Sequence, residues 1–206
     1  MTLSQYKNLA IEDFVGSPHE REIAAIEKKL GATLPEQFVS FLKVANGGVL
    51  DYLVDIPTKQ GVEIMSFCWL YGTRNEDGDH ESFDTLLYEL ELERREKGLP
   101  NQVLPFARDT GASVLYLDLS EKGQGRVLAY IDGLPEDEMN PEDIPYVVVA
   151  PDLDDFLSKL YLDVDEQRDM YEEALEDGDD ERLVALIEFW QISMPDWKKK
   201  FGITES

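Results

Sequence analysis

One cysteine and two histidines are all that this chain of 206 residues has of the side chains on which most nucleophilic, redox and transition-metal chemistry relies. A lone Cys68 forms no intrachain disulfide and no multi-cysteine zinc site. Within MSFCWLY it reads as a small core residue rather than a nucleophile. His19 falls in the first turn of a predicted helix and His80 in a polar loop, so both are expected at the surface, and neither belongs to a nucleophile or metal motif. The glycine fingerprint of dinucleotide sites, the Gly-Lys-Ser/Thr phosphate loop and the His-Glu-x-x-His zinc motif are missing as well. No cofactor, no metal and no catalytic residue is therefore implied. No apolar run is long enough to span a bilayer, and MTLSQYKNLAIEDF lacks the basic start and apolar centre of a signal peptide, so the expected compartment is the cytoplasm.

Positive charge is scarce too. Nineteen Lys and Arg stand against 44 Asp and Glu, a net charge of −25. A surface of that sign repels phosphate backbones and anionic membranes, which argues against nucleic acid or lipid as a direct partner, and it steers a basic protein inward. The charge is uneven: residues 1–50 hold five basic and six acidic residues, residues 151–206 six and seventeen. Apolar residues nevertheless recur at helical intervals through the acidic tail, so it is read as folded. Two oxygen-rich stretches, Asn75 to Glu81 and Asp163 to Asp169, lack the glycine and glutamate positions of an EF-hand loop. Paired carboxylates of the kind a glycosidase uses carry no specificity among so many acids.

The hydrophobic pattern is that of an α+β chain. Ser17, Pro18 and Glu20 form a helix-start signal, Ile23, Ile26 and Leu30 share a helical face, and Gly31 ends it. Thr33 and Glu36 repeat the capping spacing before Phe38, Phe41, Leu42 and Ala45, after which Asn46, Gly47 and Gly48 supply residues that accept positive φ. Val49–Ile56 and Val62–Tyr71 predict a hairpin, Phe83, Leu86, Leu87 and Leu90 a helix stopped by Gly98, Ser113–Leu119 and Arg126–Ile131 a second hairpin, and Tyr146–Val149 a fifth strand. Leu153 to Leu160 predicts a closing helix. Met170, Tyr171 and Leu175, the Gly178 turn, then Leu183, Leu186, Ile187 and Trp190 predict a helical hairpin on which Trp197 and Phe201 pack.

Two segments carry a family resemblance. Glu27, Leu30-Gly31, Leu34-Pro35, Phe38 with Phe41-Leu42, and Asn46-Gly47-Gly48 follow the order found in SUKH domains, and LPFARDTGASVLYLDLS, residues 104–120, is similar to a second segment of that superfamily. The resemblance covers roughly residues 12–161; Ala112-Ser113 departs from it, where many members carry another glycine and an acid. It implies a single SUKH-like α+β domain over 1–161, a mostly antiparallel sheet flanked by helices, with 162–206 as an acidic helical C-terminal extension packed on the same domain. SUKH proteins commonly act as immunity proteins that bind a polymorphic toxin domain, often a nuclease. The expected partner is then a basic toxin protein held by occlusion without turnover, and the candidate contacts are Asp137, Glu138, Asp154, Asp155, Asp177, Asp179 and Asp180. A non-catalytic intracellular scaffold or regulatory protein-binding module is the alternative, and an enzyme ranks last. Oligomeric state is not legible.

Overall fold

The alternation of Val49–Ile56 and Val62–Tyr71 becomes the longest hairpin among the described residues, β3 (Gly48–Thr58) with β4 (Gly61–Leu70), in which Tyr52, Val54 and Ile56 face Phe67, Met65 and the core while Asp51 and Asp55 are exposed. The computed structural model describes residues 3–59, 61–75, 77–134 and 146–203. Within them β1 (Leu3–Tyr6), β2 (Leu9–Glu12), β3, β4, β5 (Val103–Arg108), β6 (Val114–Asp118), β7 (Arg126–Tyr130) and β8 (Val147–Ala150) form one antiparallel sheet in sequence order. Helices α1 (Glu20–Leu30) and α2 (Glu36–Leu42) fall between β2 and β3, α3 (Leu86–Lys97) between β4 and β5, and α4 (Leu153–Ser158) after β8. Helices α5 (Val164–Asp177), α6 (Asp180–Ser193) and the short α7 (Trp197–Lys200) complete the chain. This is the α+β architecture expected, with eight strands rather than five.

Every residue of β6 is buried. Because successive side chains leave a strand on opposite faces, the sheet is covered on both sides there. Phe38 of α2, Phe67 of β4, Phe106 of β5 and Phe156 of α4 meet edge-on, with ring centroids 5.2–6.2 Å apart, and join the first helical pair to the closing helix through the sheet. Tyr116 packs at 4.9 Å, tilted, against Tyr146 and donates to Glu93 Oε2 at 2.7 Å, where Lys97 pairs with the other oxygen at 3.1 Å. Burial and the adjacent Glu93 push the Tyr116 phenol well above its ordinary range, so it stays a donor. Tyr116→Phe keeps the ring and the Lys97 pair and removes one bond to a charged acceptor; we expect a loss of about 1.5–3 kcal/mol in urea unfolding.

Several local readings shift. The first helix begins at Glu20 with His19 as its cap residue, and Glu22, not Glu20, reaches back to accept from His19 N at 3.1 Å. Ser17 Oγ instead donates to Lys43 O, tying the entry of α1 to the end of α2. The second helix starts at Glu36 behind Pro35, and the amide of Leu34 is held by Glu27 Oε1 at 2.9 Å. Phe83 lies outside α3, whose N-cap is Thr85. Of the Asn-Gly-Gly trio only the glycines take positive φ. Gly48, at φ 103°, comes so close to the backbone of β2 that a Cβ would lie 2.4 Å from Glu12 O. Cys68 is half-buried on β4 rather than in the core, and burial raises its thiol pKa, which keeps it protonated and weakly nucleophilic. His19 is exposed; His80 is half-buried, with Nδ1 2.9 Å from Thr73 O.

Candidate protein-binding surface

The acidic C-terminal segment is held to the sheet by aromatic residues at helical spacing. Trp190 of α6 is fully buried among Tyr171, Trp197 and Phe201, with ring centroids at 6.1, 5.4 and 5.1 Å, and its Nε1 donates to Gln167 Oε1 at 2.8 Å. One residue earlier, Phe189 lies 6.1 Å from Tyr52 of β3, whose hydroxyl accepts from Ala10 N at 2.8 Å. Burial drives the Tyr52 phenol up to about 12. The chain between α5 and α6 is turned by Gly178 at φ 66°, and Asp163 and Asp179 cap the two helices through their first-turn amides. Carboxylates at both helix starts also oppose the positive end of each helix dipole.

These elements place the candidate contacts in separate groups. Asp177, Asp179 and Asp180 come together, all exposed, at the turn between α5 and α6. Asp179 additionally accepts from Arg182 N at 3.0 Å. Asp154 and Asp155 lie in the first turn of α4, and each sits in an ion pair, Asp154 with Lys7 Nζ at 2.7 Å and Asp155 with Lys159 Nζ at 2.8 Å. Their charge is thus partly compensated within the chain, whereas Asp177 and Asp180 form no ion pair among the described residues. Asp137 and Glu138, with most of the loop 132–143, lie outside the described residues.

A pocket of about 440 Å³ opens between β2, β3 and the α5–α6 pair. Its walls are apolar, from Val49, Met170, Leu186 and Phe189, and Glu12, Asp51 and Asp179 stand among them. Glu12 is half-buried and its carboxylate accepts no hydrogen bond among the described residues; desolvation raises its pKa, and the neighbouring Asp13 and Asp51 carboxylates add to the effect. Arg182 is the cation of the lining, and its Nη2 is already engaged by Glu173 Oε2 at 2.7 Å. Sequence reading did not single out Glu12 or Asp51, which are far apart in the chain and lie outside the acidic tail; only the pairing of β2 with β3 at Glu12 and Val49 brings them together.

A second feature legible only in three dimensions is a buried polar network. Glu22 Oε2 accepts from Arg74 Nη1 at 2.6 Å and from Thr73 Oγ1 at 2.7 Å, and Thr73 N donates to Asn46 Oδ1 at 2.7 Å. Asn46 Nδ2 donates onward to Gly16 O at 2.8 Å. The network fastens the entry of α1, the Asn-Gly-Gly turn and the exit of β4 to one another. Its groups are all mutually satisfied apart from Glu22 Oε1, and it offers no open reactive position.

Among the described residues no group of three or more His, Cys, Asp and Glu side chains is disposed to hold a metal ion. No helix among them is long and apolar enough to cross a membrane. Compared with known proteins, residues 17–159 match the model of the SMI1/KNR4 family (SUKH-1), and the chain belongs to that family. No curated protein matches it.

Proposed function

From this membership of the SMI1/KNR4 family (SUKH-1) we propose that the protein is an immunity-type binding protein of the cytoplasm, which engages a basic toxin domain and inhibits it by covering its substrate site. The observation that carries the reading is the concentration of uncompensated carboxylates at the α5–α6 turn of a chain whose net charge is −25. Charges of one sign at an exposed tip raise the rate of encounter with a basic surface, while aromatic and aliphatic contacts set the lifetime of the complex. We regard 162–206 as the recognition extension of the 1–161 domain, with Asp177, Asp179 and Asp180 at its leading turn and Asp154, Asp155, Asp137 and Glu138 as further contacts.

The test is co-expression with the product of the adjacent reading frame and purification at low and at moderate salt. A stoichiometric complex with a basic protein whose activity is lost in the complex is the expected result; a neutral or acidic partner held equally well at both salts overturns the reading. The triple variant Asp177→Asn, Asp179→Asn, Asp180→Asn, in which asparagine still caps α6, slows association several-fold at low salt and flattens its salt dependence in stopped-flow mixing. Unchanged rates would remove the turn from the interface.

A scaffold or regulatory module is the second reading, and one observation favours it. Arg108 lies between Trp69 and Phe83, 5.7 and 5.3 Å from their rings, and these aromatics are 38% and 57% exposed. Tryptophan and arginine are residues on which binding energy concentrates, and this surface has no need of a basic partner.

A further inference from the structure

The pocket between the sheet and the extension has a composition that selects its occupant. Its walls come from Val49, Met170, Leu186 and Phe189, three carboxylates stand among them, and the guanidinium of Arg182 is turned to Glu173. Neither the Glu12 nor the Asp51 carboxylate accepts a hydrogen bond or forms an ion pair among the described residues. Apolar walls with unmatched negative charge suit a side chain that is itself half aliphatic and half cationic. A neutral apolar side chain would leave Glu12 further desolvated with no partner, and an anion would be repelled.

We propose that this pocket receives an arginine or lysine side chain of a basic protein partner, its aliphatic stem against Phe189 and Leu186 and its cation between Glu12, Asp51 and Asp179. This rests on the basic-partner reading above and deepens it, since it moves the specific contact from the exposed turn to a partly enclosed site. Most of the lining lies outside residues 17–159, the span shared with the family: Glu12 precedes it, and Met170, Asp179, Leu186 and Phe189 follow it. The pocket is therefore built largely by segments flanking the family match, with Val49 and Asp51 contributed from within it. A cation entering it relieves the mutual repulsion of Glu12 and Asp51.

The test is an NMR titration of the full chain with acetyl-Leu-Arg-Leu-amide, and with the same peptide carrying citrulline, which keeps the shape of arginine without its charge. The arginine peptide is expected to shift the amides of Glu12, Asp51, Asp179 and Leu186, with the citrulline peptide and the Glu12→Gln, Asp51→Asn double variant each about tenfold weaker. Both substitutions are isosteric and remove repulsion, so the variant folds; its unperturbed amide spectrum verifies this. Equal binding of the two peptides, or full binding to the double variant, overturns the proposal. Shifts spread over the acidic surface but absent from the pocket overturn it while leaving a basic partner in place. No shift anywhere with the cationic peptide overturns both.

Discussion

Trp190→Ala is expected to release the C-terminal helices from the sheet at a cost of about 3–5 kcal/mol, the range for truncating a large buried aromatic residue. The indole is inaccessible to solvent, contacts three further rings and satisfies Gln167, itself buried. Truncation removes the hub of that aromatic group and leaves a buried amide oxygen without its donor, so cavity and polar penalties act together. Trp190→Phe restores most of the volume but not the indole N–H, and it should recover more than half of the loss. Where the damage appears is as informative as its size. Tyr171, Trp197 and Phe201 all belong to the C-terminal segment, while the Phe38, Phe67, Phe106 and Phe156 group is untouched. Amide exchange in α5 and α6 should therefore quicken strongly, with β5 to β7 keeping their protection. A uniform rise across the sheet would instead show that the helices are part of one cooperative unit with it, and the boundary drawn after residue 161 would be wrong.

How far the sequence reached depended on whether a signal was local. Both predicted hairpins, the helix ended by Gly98 and the helical pair around Gly178 follow from period and punctuation, because each is decided by residues that are close in the chain. The N-terminal hairpin was not legible: its turn places Lys7 at φ 55°, a position where glycine or asparagine gives the usual signal, and its strands are only four residues each. Strand β5 is buried along nearly its whole length, and its Leu104-Pro105-Phe106-Ala107 run has no alternation to detect. The start of α1 lies two residues beyond the Ser17 signal because several polar residues between Ser17 and Glu22 can cap, and Glu22, paired with Arg74 from beyond β4, is the one that closes the capping box.

The candidate surface divides along the same line. Its acidic pole is a property of composition and was visible as charge. The pocket was not, since it joins Glu12 to residues more than 150 positions later through the β2–β3 pairing and the Phe189–Tyr52 contact. Asn46 has the neighbours of a turn residue, yet its side chain links three segments and its backbone is not left-handed. Polar networks of this kind leave no periodic trace, because their members are single residues on separate loops.

Arg74→Ala should be the most damaging change within that network. It leaves the Glu22 carboxylate, whose side chain is 3% exposed, without its counter-ion, and removing one partner of a buried pair typically costs about 3–5 kcal/mol. The guanidinium also donates to Val15 O at 3.1 Å and Ser17 O at 3.2 Å, so the segment entering α1 loosens in the same variant. The acid dependence identifies the mechanism. Burial alone would raise the Glu22 pKa, but the Thr73 hydroxyl, the His19 amide, Arg74 and His80 together hold it below the ordinary value of 4.5. A depressed carboxyl contributes stability that is fully present above its unfolded pKa and is lost as pH falls through the lower folded value. With Arg74 gone that counter-charge is missing while the Thr73 and His19 hydrogen bonds remain, so the Glu22 pKa moves back toward the ordinary value and protonating Glu22 costs the variant less than it costs wild type. The stability gap between wild type and Arg74→Ala, measured by denaturant unfolding, should hence be widest near neutral pH and close progressively below pH 4.5. Glu12 and Glu89, whose raised pKa values favour the folded state on acidification, titrate alike in both proteins and cancel in the difference. The double variant Glu22→Gln, Arg74→Met removes both charges and should recover most of the loss with a flat gap across the same range; a gap that keeps its size through the acid limb in Arg74→Ala would mean that packing of the arginine stem, not its charge, is what the fold requires.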